Sequence, residues 1–274
     1  MARAPATPRK SSPTTQTERT AKRIARQQKA LEKEMLVDMN VKVIPNGGKM
    51  PKLSDLKKIA PMTDTQKDIF SAWENAPEDN IGFVLHGSAG TGKSYCAMYL
   101  ALKEILDTET TYKKIVLIRS AVQTRDVGFL KGTDSEKAAV YELPYKDICG
   151  DLTKNYHAYD KLKEAFKIEF MSTSFLRGTT FNDCIVIIDE AQSCNWHELN
   201  TVMTRIGNNS KLFVCGDMVQ NDLIKTKNDV SGFKEFLQVS LSMPEFRSYK
   251  FTPDDIVRSG FCRSWITTCE KLGL

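Results

Sequence analysis

Three glycines and then a lysine followed by a serine fall within eight residues of this chain, in the run GSAGTGKS from Gly87 to Ser94. Glycines at these spacings let a backbone bend and approach an anion without Cβ clashes, so that successive N–H groups point into one concavity. The lysine and hydroxyl that follow complete the pattern of a phosphate-binding loop. Lys93 is placed to reach the β- and γ-phosphates of a nucleotide, and Ser94 to give an oxygen ligand to Mg²⁺. Two adjacent carboxylates, Asp189 and Glu190, stand about 100 residues further on. Their expected roles differ: Asp189 holds Mg²⁺ through water, and Glu190 polarises the water that attacks the γ-phosphate. Gln220, three residues past Asp217, is placed to sense the γ-phosphate and relay its loss as a conformational switch.

These groups need elements to hold them. IGFVLH before the loop reads as a strand and YCAMYLALKEI after it as a helix, the strand, loop and helix order that such a loop requires. Gly87, Ser88, Ala89, Gly90, Thr91, Gly92, Lys93, Ser94 and Tyr95 are therefore the expected nucleotide-binding run. Ile185 to Ile188 are four consecutive β-branched residues, a strand buried on both faces that ends in the carboxylate pair. The separation of Lys93 from Asp189 suits a parallel sheet in which the two strands are neighbours. KKIVLIRSAV is a further buried strand ending near Arg119, and KLFVCGDMVQNDL another that leads to Asp217 and Gln220. The long loop QTRDVGFLKGTDSEK follows the first of these, at the carboxyl end of a strand where parallel sheets bind ligands.

Upstream, Thr63 or Asp64 is placed to cap a helix with Ile69, Phe70 and Trp73 on its apolar face. Gln66 sits in its first turn, where many helicase-like ATPases read the adenine edge with an amide; the alternative is an exposed helix residue. Residues 141–167 read as helical, with Tyr145, Tyr156 and Tyr159 as packing residues rather than base-stacking platforms. A helix is expected from His197 to Ile206, and another around Trp265. His86 and His197 lack a nucleophile or metal partner in the sequence and fall to packing or surface roles.

The chain of 274 residues carries 39 basic and 34 acidic side chains, yet its first 35 residues hold nine Lys and Arg against three Glu. The basic excess therefore belongs to the N-terminal tail. Residues 1–16 are rich in Pro, Ser and Thr with almost nothing to bury, which predicts disorder. From Thr17 to about Met39 a basic helix with a weak apolar stripe is expected, either an arm for nucleic-acid phosphates or a neighbouring subunit, or a solvated tail. Cys96, Cys149, Cys184, Cys194, Cys215, Cys262 and Cys269 form no CxxC pair and read as reduced core cysteines. With no apolar run of about 18–20 residues and no signal-peptide segment, no membrane association and a cytoplasmic location are expected.

GSAGTGKS, VLIRSAV, DVGFLKG, FLRGTTF, IVIIDEAQ, MTRIG, FVCGDMVQNDL and DDIVRSGF occur in this order over residues 60–262. Together they closely resemble the PhoH-like ATPases of the superfamily 1 helicase branch of P-loop NTPases, short members of which are common in bacteriophages. The resemblance implies an α/β fold, a single RecA-like domain with a mainly parallel sheet over residues 41–274 after a tail at 1–40. It also implies ATP and Mg²⁺ as ligands and a role in RNA or other nucleic-acid metabolism. Lys93 and Ser94 match the Walker A lysine and hydroxyl, Asp189 and Glu190 the Walker B pair, and Gln220 the switch glutamine. Arg258 matches the arginine finger, although Ser259 and Gly260 replace the commoner His-Pro after it, and Ser88 stands where proline is usual.

Superfamily 1 helicases place ATP between two RecA-like domains, whereas this chain has room for one. A second subunit supplying Arg258 across a head-to-tail interface would complete the site, and such interfaces close into rings, here a homo-oligomer of hexamer type. Two functions follow: ATP hydrolysis coupled to binding or unwinding of single-stranded RNA or DNA, or a nucleotide-controlled assembly switch without unwinding. Thymidine kinases also combine a phosphate loop with DEAQ, but this chain lacks their zinc-type cysteine pairs and carries the GD-x-x-Q element.

Overall fold

The computed structural model describes residues 49–76, 81–120, 134–176, 178–217 and 231–272. The chain divides into two units, Met1–Gly47 and Gly48–Leu274, and all described residues lie in the second. The N-terminal tail and its expected helix, the turn at 45–48, the loop from 123 to 133, Arg177 and Gln220 lie outside the described residues.

Six strands make one sheet: β1 (Ile81–Gly87), β2 (Lys114–Arg119), β3 (Ile168–Ser172), β4 (Cys184–Ile188), β5 (Ser210–Gly216) and β6 (Phe246–Phe251). Their order is β3-β2-β4-β5-β1-β6 and every neighbouring pair is parallel. Parallel neighbours need crossovers, and the helices supply them: α1 (Asp64–Glu74), α2 (Lys93–Ile105), α3 (Asp134–Thr153), α4 (Ala158–Glu164), α5 (Trp196–Met203), α6 (Phe233–Leu241) and α7 (Gly260–Leu272). Alternate residues of each strand point to opposite faces. Phe83, Leu85, Ile115, Leu117, Ile185, Ile187, Phe213 and Cys215 pack in one apolar cluster with side chains of α1, α2, α3 and α4. Val84, Val116, Ile118, Val186, Ile188, Leu212 and Val214 pack in a second with those of α5 and α6. A parallel sheet covered on both faces in this way is a RecA-like α/β fold.

The strands of the phosphate loop and of the carboxylate pair are not neighbours, contrary to the expectation from sequence. β5 pairs with both β1 and β4 and separates them. Apolar runs identify buried strands but carry no information on lateral order, and the strand that intervenes brings Asp217 between the two motifs. The helical stretch expected at 141–167 is two helices, α3 and α4. α3 starts earlier, at Asp134, and continues through Pro144 to Thr153. Lys163 of α4 is salt-bridged at 2.7 Å to the buried Glu142 of α3, and Lys146 is paired with Asp160 at 2.9 Å.

Thr63 is the cap of α1, its hydroxyl accepting from Gln66 N at 3.3 Å, and Ile69 and Trp73 of that helix are buried. Trp73 stacks on Phe213 at 4.5 Å between ring centroids. Cys96, Cys149, Cys184, Cys194 and Cys215 are buried as free thiols, while Cys262 and Cys269 of α7 are half-buried. None of the described helices is long and apolar enough to cross a membrane.

Candidate nucleotide site

The loop between β1 and α2 turns through positive φ at Gly87, Gly90 and Gly92. At Gly87 the requirement is also steric: a Cβ there would stand 2.1 Å from the Phe251 carbonyl oxygen, which accepts from Ser88 N at 3.2 Å. The end of β6 thus pins the start of the loop. Thr91 Oγ1 donates to the Ser88 carbonyl at 3.0 Å and closes the loop on itself. Lys93 Nζ donates to the carbonyls of Gly87 and Ser88, both at 2.8 Å, so the ammonium is held inside the curl of the backbone. Burial pushes the Lys93 pKa down, and the nearby Asp217, Cys215, Glu190 and Asp189 act against that shift.

Ser94 joins the two motifs. Its hydroxyl donates to Asp189 Oδ1 at 2.7 Å, across 95 residues of sequence. Asp189 follows β4 and is buried; its N–H donates to the Ile118 carbonyl at 3.0 Å, which fixes the backbone at the strand tip. The second carboxylate oxygen accepts from Tyr145 OH of α3 at 2.9 Å. The neighbouring Glu190 takes a left-handed conformation, φ 52 and ψ 44, uncommon for a residue with a side chain and concentrated at functional sites. Burial raises the Glu190 pKa, and the adjacent Asp189 charge adds to the rise.

Gln192 links this pair to β5. Its amide nitrogen donates to Glu190 Oε2 at 2.6 Å, and its amide oxygen accepts from Asp217 N at 3.0 Å. One side chain therefore connects the carboxylate at the β4 tip to the chain leaving β5.

The other expected site residues are placed as follows. Gln66 is buried, not exposed; its amide accepts from Met62 N at 2.8 Å and donates to the Thr91 carbonyl at 3.0 Å, bracing α1 against the phosphate loop. Tyr95 turns its hydroxyl to Asp151 of α3 at 2.6 Å. Arg258 lies beside the loop of its own chain: Val257 N donates to the Gly90 carbonyl at 3.1 Å, and a Cβ on Gly90 would meet Arg258 Cγ at 2.9 Å. The structure thus brings Gln66, the loop, Lys93, Ser94, Asp189, Glu190 and Arg258 together. Sequence reasoning misses the contacts of Tyr145, Gln192 and the Thr91 hydroxyl. Gln192 stands inside the DEAQ run, which is a usable signal; the partner of Tyr145 lies 44 residues away and leaves none.

A family profile described as "PhoH-like protein" matches residues 58–270. The chain belongs to the PhoH-like family. It is 34% identical over 203 residues to a PhoH-like protein of Mycobacterium bovis, covering 74% of this chain and 55% of that one. To a PhoH-like protein of Bacillus subtilis it is 36% identical over 154 residues, covering 56% and 47%. To Protein PhoH of Escherichia coli K12 it is 30% identical over 179 residues, covering 65% and 49%. The chain thus matches only about half the length of these relatives. A structural neighbour is the large terminase of a thermophilic bacteriophage, with a TM-score of 0.45, 12% identity, and 77% and 50% of the two chains covered.

Among the described residues, no cluster of three or more His, Cys, Asp or Glu can hold a metal. The Ser94 and Asp189 pair still fits Mg²⁺, which uses one or two protein ligands together with substrate phosphates and water. The pair adjoins the loop in which Gly87 and Gly90 leave no room for a Cβ, at the N-terminus of α2, where backbone N–H groups favour phosphate.

The electrostatics make one prediction. A carboxyl whose folded pKa is raised contributes stability below the unfolded value, near 4.3, and loses it as pH rises through the folded value. Glu190→Gln should therefore melt above the parent protein at pH 7.5, by about 2–4 °C for each kcal/mol relieved, and the gap should close as pH falls towards 4.5. Equal melting temperatures at both pH values would contradict the burial assigned to this charge.

Proposed function

We propose that this protein is a Mg²⁺-dependent ATP hydrolase whose turnover is coupled to single-stranded RNA or DNA. The observation that carries this reading is the Ser94 to Asp189 hydrogen bond. It brings a phosphate-binding loop and a buried acidic strand tip to one point, with Glu190 next in sequence. Ser94 and Asp189 would hold Mg²⁺, which when bound neutralises phosphate charge. Lys93 binds the phosphate oxygens in exchange for the two loop carbonyls it now holds. Glu190 orients the attacking water and accepts its proton, and its raised pKa suits a base. Gln192 fixes the Glu190 carboxylate and ties it to the segment that runs towards Gln220, which supports Gln220 as the residue that responds to loss of the γ-phosphate.

The nucleic-acid partner is supported by the nine basic residues among the first 35. Placement of Arg258 against Gly90 favours action on the nucleotide of its own chain over delivery across an interface. Assembly into a ring, of hexamer type, is supported by α7, which leaves Phe261, Trp265 and Leu272 exposed along one side and begins two residues after Arg258.

Lys93→Ala should weaken ATP binding about 10–100-fold, the range for a lost charged hydrogen bond. Glu190→Gln should bind ATP while turnover falls roughly 10²–10⁴-fold. Equilibrium binding and phosphate release measure both; tight binding by the first or near-normal turnover by the second removes the assigned role. Single-stranded RNA or DNA should stimulate hydrolysis at low salt; hydrolysis indifferent to both would favour a nucleotide-controlled assembly switch. Mixing Arg258→Ala with Glu190→Gln protein should restore no activity if Arg258 acts within its chain, whereas recovery would return it to the interface. Sedimentation of the active protein should show a multimer, and full activity as a strict monomer would exclude the ring.

A further inference from the structure

We propose that Tyr145 is a positioning residue of this site, holding one oxygen of Asp189 so that the other is presented to Ser94 and the metal. The inference rests on the reading of the site as one for Mg²⁺ and ATP. Its starting point is the division of the Asp189 carboxylate between two hydroxyl donors: Ser94 at 2.7 Å takes Oδ1 and Tyr145 at 2.9 Å takes Oδ2. A carboxylate at a strand tip whose backbone is already fixed by the Asp189 N–H to Ile118 bond keeps only its side-chain torsions free. Two donors at its two oxygens set the plane of the group.

The donors differ in permanence. Ser94 is itself an expected metal ligand: its O–H donates to Asp189 while its oxygen lone pairs serve the ion, so its position answers to two partners. The Tyr145 bond occupies the other oxygen and does not compete. Tyr145 is also mounted rigidly. It is 1% exposed, its ring lies at 6.2 Å from Phe170 of β3, and α3 is fastened to α4 by the Glu142–Lys163 and Lys146–Asp160 pairs. A side chain needed only to fill this space would do so as phenylalanine, since a buried hydroxyl requires a partner. Groups that hold a metal-binding carboxylate from behind are worth about 10–100-fold in metal affinity.

The test is Tyr145→Phe, which removes the hydroxyl and keeps the ring. Binding of a fluorescent ATP analogue to the full chain is followed as Mg²⁺ is raised from an EDTA baseline. The Mg²⁺ concentration for half-maximal tightening should rise about tenfold, while binding at the EDTA baseline stays as in the parent. Phe170→Leu loosens the same ring but keeps the hydroxyl, so it should lower the melting temperature without moving the Mg²⁺ midpoint. An unchanged midpoint in Tyr145→Phe, with the parent still Mg²⁺-dependent, overturns the inference alone. An equal shift in both variants overturns it too, since packing would then be the cause. A parent protein that binds the analogue equally with EDTA and with Mg²⁺ overturns the Mg²⁺ reading together with it.

Discussion

One hydrogen bond, from the Ser94 hydroxyl to the Asp189 carboxylate, sets the constraint that the rest of the domain satisfies. It requires the first turn of α2 to meet the tip of β4, although β5 lies between the strands that carry the two motifs. The sheet meets this by burying β4 and β5 on both faces, which holds their tips at defined heights. In the phosphate loop, glycines at 87 and 90 remove the side chains that would strike Phe251 and Arg258. Lys93, Ser94, Asp189 and Glu190 become neighbours only through this geometry.

The intervening strand also gives the site its internal connection. Asp217 leaves β5 between the two motifs, and the Gln192 amide spans from its backbone to Glu190. A carboxylate in a strained left-handed conformation is thus joined to the Asp217 backbone just past the end of β5. On the other side, α1 reaches the loop through Gln66 and α3 reaches Asp189 through Tyr145. Both helices pack in the same apolar cluster, so the polar contacts sit at the rim of a core that limits their movement. Burial raises the Glu190 pKa and lowers that of Lys93, shifts towards neutrality that bound phosphate and metal would offset.

Much of this is legible in the sequence, because the relevant signals are local. A loop of fixed glycine spacing, a β-branched run ending in Asp189 and Glu190, and Thr63 three residues ahead of Gln66 each declare their own geometry. Lateral strand order is not legible: hydrophobic period identifies β1, β4 and β5 as buried strands but not that β5 separates the other two. Nor are long-range partners. Tyr145 reads as packing because its hydroxyl bond depends on where α3 crosses the sheet. Nothing local shows that Val257 docks on the Gly90 carbonyl and sets Arg258 beside the loop of its own chain. Pro144 and the short α3 to α4 connection are hidden inside one helix-forming stretch for the same reason: tertiary packing overrides local preference.

The measurement that tests the central claim most directly is a double-mutant cycle on Mg²⁺-dependent ATP binding, with Ser94→Ala, Asp189→Asn and the combined variant titrated calorimetrically. If the two side chains form one metal-and-phosphate site, the single losses should fail to add, with a coupling of about 1–3 kcal/mol. Additive losses, or binding of ATP that is the same with and without Mg²⁺ in the unaltered protein, would contradict the account.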